Sequence, residues 1–231
     1  MNILQERKNE FTTLFIVLGI LFVTCLLISN IIAGKLIEVY GMVLPAAVIL
    51  FPITYIFGDV LTEVYGFRRS RLIIWTGFVC NVLMVLVFCA VIALPHPSFW
   101  NGQDAYLTVL GMTPRLVIAS LMAYFVGEFL NSVVLSKMKL LTNGRWLPLR
   151  TIGSTVVGEG VDTLIFVSIA FLGVVPISVL IQMILLQYVW KVAYEVLLTP
   201  ATYMVVNWIK RKEGIDSYDR DIRYNLFSLE V

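Results

Sequence analysis

Six long apolar runs alternate with short polar connections along the chain. They cover about residues 11–33, 42–65, 72–94, 115–137, 151–175 and 177–209. Each meets the ~20 residues that a helix needs to cross the hydrocarbon core of a bilayer. The pattern predicts an all-α membrane protein, a bundle of six transmembrane helices in one domain over residues 1–212. A charged cytoplasmic tail is expected over 213–231. The last run is longer than a crossing requires, so Pro200 is expected to kink it or its end to leave the membrane. The first run is too long for a signal peptide and lacks a small-residue cleavage site, so it reads as a retained helix. The longest connection, PHPSFWNGQDAYLTVLGMTP, is aromatic and weakly charged. It is expected to lie at the membrane interface or to fold partly into the protein.

Composition agrees with the pattern. The 231 residues are 59% hydrophobic and 14% charged, and the mean hydropathy is +0.90. Soluble domains are about 45–50% apolar and about 25% charged.

Charge placement gives an orientation. Of the 17 Lys and Arg residues, 14 fall on one side of the predicted bundle. They are Arg7 and Lys8, then Arg68, Arg69 and Arg71, then Lys137, Lys139, Arg145 and Arg150, then Lys210, Arg211, Lys212, Arg220 and Arg223. Lys35 and Arg115 lie on the other side, and Lys191 falls within the sixth run. The positive-inside rule then puts both termini in the cytoplasm. The net charge of +2 reflects these anchors; it does not argue for a nucleic-acid partner.

Two echoes leave open an inverted 3+3 repeat, as in many transporters. ISNIIAGK closes the first run and LNSVVLSK the fourth, while Gly58-Asp59 and Gly158-Glu159 mark the second and fifth.

The chemistry is expected where ionisable groups fall inside the apolar runs. These are Asp59 and Glu63, Glu128, Glu159 and Asp162, and Lys191 and Glu195, with Arg115 near the outer end of the fourth run. A central Asp, Lys or Arg costs about 2.5–3.5 kcal/mol on insertion scales, so such groups usually have a function. Asp59 and Glu63 are four apart. Glu159 and Asp162 are three apart, and Gln187, Lys191 and Glu195 form one stripe, so each helix aims its polar groups at one sector. Pairing between helices is the plainer use of any one of them. Carboxylates outnumber the bases, however, so pairing cannot neutralise them all. Glu63, nearest the arginine block, is the one best suited to a structural pair. We therefore take Asp59, Glu63, Asn30, Arg115, Glu128, Glu159, Asp162, Gln187, Lys191 and Glu195 as candidate substrate-binding residues. Asn81 and Asn131 fit hydrogen bonds between helices better than ligand contact. Tyr124, Phe166, Tyr188 and Trp190 are candidate aromatic surfaces for a flat ligand.

Cys25, Cys80 and Cys89 match no metal spacing and read as small packing residues. His96, the only histidine, stands in a loop. No metal, cofactor or catalytic residue is expected.

Four stretches together carry a resemblance. FPITYIFGDVLTEVYG, RLVIASLMAYFVGE, STVVGEGVDTLIF and QYVWKVAYEVLLTP combine D-x-x-x-E-x-Y-G, R-x-x-x-A-S-x-x-A-Y, E-x-x-D-T and K-x-x-x-E. The combination resembles the queuosine precursor transporter family, also called vitamin uptake transporters, over nearly the whole chain. The resemblance implies a six-helix inner-membrane protein that imports the 7-deazaguanine bases preQ0 and preQ1 for tRNA modification; some relatives prefer queuine or queuosine. It implies a small-molecule substrate, a lipid bilayer and no nucleic acid, and leaves a homo-oligomer open. Six helices also suit a substrate-binding subunit of an energy-coupling-factor transporter. Such subunits usually show an alanine-x-x-x-alanine face on the first helix, where this chain has only Ala33. A third, remote reading is an intramembrane enzyme built on a carboxylate pair.

Overall fold

A computed structural model of the protein describes residues 11–33, 35–39, 42–111, 114–219 and 224–227. The anchors Arg7, Lys8, Arg220 and Arg223 lie outside the described residues. The elements are α1 (Thr13–Ile32), a hairpin of β1 (Leu36–Val39) and β2 (Met42–Pro45), a 3-10 turn (Ala46–Ile49), α2 (Phe51–Val60), a π-helical turn (Leu61–Tyr65), α3 (Phe67–Ala93), α4 (Gln103–Leu110), α5 (Pro114–Leu141), α6 (Leu147–Phe171) and α7 (Ile177–Glu213). The strands pair antiparallel, Leu36 opposite Pro45 and Val39 opposite Met42.

Among the described residues, five helices are long and apolar enough to cross a membrane: α1, α3, α5 from Ile118, α6 and α7. The exception is the run expected as one helix over 42–65. It begins as strand, and its helical part spans only Phe51 to Tyr65, about 22 Å at 1.5 Å per residue, short of the ~30 Å core. Two prolines explain the break. Pro45 ends β2, and Pro52 sits in the first turn of α2, where its missing N–H is tolerated.

Contacts define the two ends of the bundle. Thr12 caps α1 through Phe15 N and donates to Glu213 at the end of α7 (3.0 Å), which also accepts from the Tyr65 hydroxyl (2.7 Å). Glu63, Lys139, Arg150 and Lys210 meet at this same end. At the opposite end Arg115 donates to the carbonyls of Ile169 and Leu172, covering the end of α6. The chain from Ile32 to Tyr65 therefore returns to the Glu213 end despite its broken helix. The last run is one helix with Pro200 inside it: α7 spans 37 residues, Ile177–Glu213.

Packing takes two forms. Phe15, Leu18, Phe22 and Leu26 line one face of α1 against Val60, Leu61, Val64 and Tyr65 and against Val206 and Ile209 of α7. Between α5 and α6 the seam is built of small residues. Ala119, Ala123, Gly127 and Asn131 are all buried at four-residue spacing. A methyl group on Gly127 would lie 2.6 Å from Asp162 Cβ, and one on Gly158 2.6 Å from Asn131 Cβ. This close approach brings the polar groups of the two helices together.

The C-terminal tail differs from the solvated tail expected. Gly214 (φ 67°) ends α7 in the left-handed region that favours glycine, and the chain then packs back across the Glu213 end. Ser217 N donates to Val64 O (3.0 Å), Arg71 to Asn225 O (2.6 Å) and Trp75 to Leu226 O (2.7 Å). Asp219 accepts from Phe67 N (2.8 Å) and Ser136 Oγ (2.5 Å). Gly66 offers no side-chain cap to α3, so Asp219 fills that role from more than 150 positions away. Asp219→Ala is expected to cost about 1 kcal/mol, lowering the thermal midpoint in detergent by about 2–4 °C. Asp219→Asn, which keeps a capping oxygen, should stay near wild type.

The arginine block is also more than a set of headgroup anchors. Arg68 is exposed, but Arg71 is buried on the tail. Lys139 and Arg150, read from the sequence as loop charges, are 2% and 1% exposed. The aromatic connection folds in part, as α4, with Trp100 tilted against His96 and Tyr106.

Candidate functional site

The ionisable residues separate into two clusters at different levels. The first lies at the Glu213 end. Glu63 is fully buried, and its Oε1 faces three cations: Arg150 Nη2 at 2.8 Å, Lys210 Nζ at 2.7 Å and Lys139 Nζ at 3.4 Å. Lys139 also donates to the Glu63 carbonyl (2.5 Å) and, with Lys210, binds Asp216 of the tail at 2.5 and 2.9 Å. Burial pushes the Asp216 carboxyl up, but hydrogen bonds from Lys139 and Lys210 outweigh it and hold the group below the usual aspartate range. Its contribution to tail docking is thus in place above the ordinary aspartate pKa and is lost as pH falls through the lowered one. This cluster ties the π-helical turn, α5, α6, α7 and the tail together.

The second cluster lies mid-bundle. Asp59, at the last turn of α2, is fully buried, and its Oδ1 accepts from Asn131 Nδ2 of α5 (2.8 Å). Lys191 of α7 pairs with Asp162 (2.5 Å) and Glu159 (3.0 Å) of α6. Glu128 of α5 and Glu195 of α7 are 5% and 3% exposed. Glu128 reaches α2, because a methyl group on Gly58 would lie 2.5 Å from its Oε1. Asp59 is near enough to Glu195, Glu128 and Glu159 for their charges to interact. The cluster therefore joins five carboxylates to one lysine. Among the described residues, Asp59 Oδ2, Glu195 Oε1 and Asn131 Oδ1 have no hydrogen-bond partner. Such buried acceptors are costly unless something supplies donors.

Asp59 and Glu63 keep the shared face that their spacing predicts, since Asn131 and Lys139 lie eight apart on α5. They serve different clusters, because one turn of axial rise moves Glu63 to the level of the cations. Glu63 therefore stands apart from the mid-bundle group. Arg115 stands apart as well, at the opposite end. Asn30 donates to Asn81 (2.6 Å) and accepts from Ser120 (3.2 Å), a bridge of α1, α3 and α5 about two turns from Glu128. Gln187 is half-buried one turn before Lys191. Asn81 and Asn131 both make the bonds between helices expected of them.

Tyr55 was missed in the sequence. Its ring centroid lies 5.8 Å from Lys191 Nζ. Its position one turn before Asp59 is the signal that would have found it. Tyr124 instead donates to Ile74 O and Tyr188 to Val156 O, while Phe166 stacks edge-on with Phe171. A mainly apolar crevice lined by Asn30, Met84, Val85, Phe88 and Leu110 lies between α1, α3 and α4. It is away from the carboxylates and holds none of their chemistry.

Among known proteins, the sequence model of a family described as "Putative vitamin uptake transporter" matches residues 45–205. A "Probable queuosine precursor transporter" of Bacillus subtilis (strain 168) is 29% identical over 186 residues, covering 80% of this chain and 81% of the relative. The "Queuosine precursor transporter" of Escherichia coli (strain K12) is 29% identical over 121 residues, 52% of each chain. A "Probable queuosine precursor transporter" of Haemophilus influenzae is 28% identical over 166 residues, 70% of this chain and 68% of the relative. No solved structure matches. The matched region runs from the end of the hairpin to beyond Pro200 and contains every member of the mid-bundle cluster; the chain is a multi-pass membrane protein that belongs to the vitamin uptake transporter family.

Proposed function

We propose that the chain is a carrier that brings queuosine precursors, the 7-deazaguanine bases preQ0 and preQ1, across the inner membrane into the cytoplasm. The single observation that carries the reading is the mid-bundle cluster of five carboxylates and one lysine with unfilled buried acceptors. The names of the relatives supply the substrate class. A deazaguanine presents a ring N–H beside an exocyclic NH2, and one carboxylate accepts both. Asp162 and Glu159, beside Lys191 on the more open side of the cluster, suit this role. Lys191 is the donor for the ring carbonyl, reached by exchange with one of its carboxylates.

In this reading the segment from Ile32 to Tyr65 is a sixth, broken crossing, and the Glu213 end faces the cytoplasm with both termini. Broken helices at a midplane site are common in transporters. The 3+3 repeat belongs to the same proposal. Gly58 and Gly158 both bring their acidic helices against α5.

The test is uptake of labelled preQ0, preQ1 and queuine in cells that lack both queuosine synthesis and an energy-coupling module. Expression of the chain is expected to restore base uptake and modified tRNA. Uptake only when an energy-coupling module is supplied would assign it as a binding subunit instead. No uptake in either host would reject the queuosine-precursor reading.

A further inference from the structure

The mid-bundle cluster is not uniform. Lys191 is committed to Glu159 and Asp162, the only two carboxylates it pairs with among the described residues. Asp59, Glu128 and Glu195 have no cationic partner among the described residues. They come from three different elements, α2, α5 and α7, and are 0%, 5% and 3% exposed. Lys191 and Asp162 are the more open side, at 13% and 20% of the side chain. The three uncompensated carboxylates, with Glu159 (3%), thus form the buried side of the site. Asp59 Oδ2 and Glu195 Oε1 are buried acceptors with no donor among the described residues. The Asp59–Glu195 and Asp59–Glu128 pairs are close enough to repel when ionised.

Two open buried acceptors, on Asp59 and Glu195, with a third buried carboxylate near Asp59 and no cation among the described residues, fit one chemical group closely. An alkylammonium carries one positive charge and three N–H donors. It would reduce the repulsion and fill the open acceptors with charge-assisted bonds. A neutral, linear substituent such as a nitrile has no N–H to give and would leave the acceptors desolvated and unpaired, which is the strongest basis for rejecting a ligand. We propose that Asp59, Glu128 and Glu195 form an ammonium subsite, so that the carrier takes the aminomethyl base in preference to the neutral nitrile base with the same ring. This inference rests on the queuosine-precursor reading above.

The experiment compares uptake of labelled aminomethyl and nitrile bases by the full chain in proteoliposomes, at equal concentrations and pH 7. The wild type is expected to favour the aminomethyl base by tenfold or more. Glu195→Gln and Glu128→Gln, each checked for normal incorporation, are expected to bring that ratio to within about twofold. Methylammonium alone should compete with the aminomethyl base and not with the nitrile base. Equal uptake of both bases by the wild type overturns the ammonium subsite and leaves the queuosine-precursor reading standing. So does a wild-type preference that neither variant alters. Uptake of neither base overturns both.

Discussion

Lys191→Met is expected to abolish base uptake while the protein still reaches the membrane. The side chain neutralises two of the five mid-bundle carboxylates, at 2.5 Å from Asp162 and 3.0 Å from Glu159. Removing one partner of a buried pair typically costs about 3–5 kcal/mol because a charge is left uncompensated. Here the loss is reduced, because a carboxylate can take a proton and Asp162 is partly open to its surroundings. The fold therefore survives. The proposed site should not, because protonated Glu159 and Asp162 would fill their own hydrogen-bonding needs and the proposed donor for the ring carbonyl would be gone. Uptake is expected to fall at least 100-fold, a loss of about 2.7 kcal/mol at 1.36 kcal/mol per tenfold. Lys191→Arg should retain a measurable fraction, since it keeps the charge. Asp59→Asn should resemble Lys191→Met, since it replaces an acceptor with a donor beside Asn131. The measurement is initial uptake of labelled base per molecule of membrane-incorporated protein. Wild-type uptake by Lys191→Met at normal protein levels would remove Lys191 from the site.

Much of this was legible in the sequence, and the remainder has physical reasons for being hidden. Five long helices follow from apolar runs alone, because a bilayer rewards length and apolarity with little regard for partners. The sixth segment did not, because hydropathy does not distinguish an apolar strand and 3-10 turn from an apolar helix. Pro45 and Pro52 were the local signals of the break. The stripe of Lys191 and Glu195 and the pair Glu159 and Asp162 were readable from helical spacing. Which carboxylate meets which cation was not, because Glu63 meets Lys139, Arg150 and Lys210 across gaps of 76 to 147 positions. Charge counting had assigned those cations to headgroups. Only three-dimensional packing shows that Arg150 is sealed inside, and that Asp216 and Asp219 of a polar tail are structural members of the bundle.

Glu63→Ala is expected to do the opposite of Lys191→Met: it lowers the amount and stability of folded protein without removing the transport site. The substitution takes away the carboxylate that faces Arg150, Lys139 and Lys210. Lys139 and Lys210 keep Asp216. Among the described residues, Arg150, 1% exposed, keeps only the carbonyl of Arg145 and the hydroxyl of Thr142, with no carboxylate. Unlike a carboxylate, a guanidinium cannot shed its charge, so no proton transfer softens the loss. The expected cost is about 3–5 kcal/mol, a large share of the roughly 5–15 kcal/mol that holds a folded domain together. Thermal unfolding in detergent should show a lowered midpoint, and membrane levels should fall. Uptake per folded molecule should stay within a few-fold of wild type, since Asp59 and the mid-bundle carboxylates lie one turn or more away. The double variant Glu63→Ala, Arg150→Met removes the stranded charge along with its partner, and part of the lost stability should return. If Glu63→Ala kept full stability and lost transport, Glu63 would belong with Asp59 in the substrate site, as their four-residue spacing first allowed.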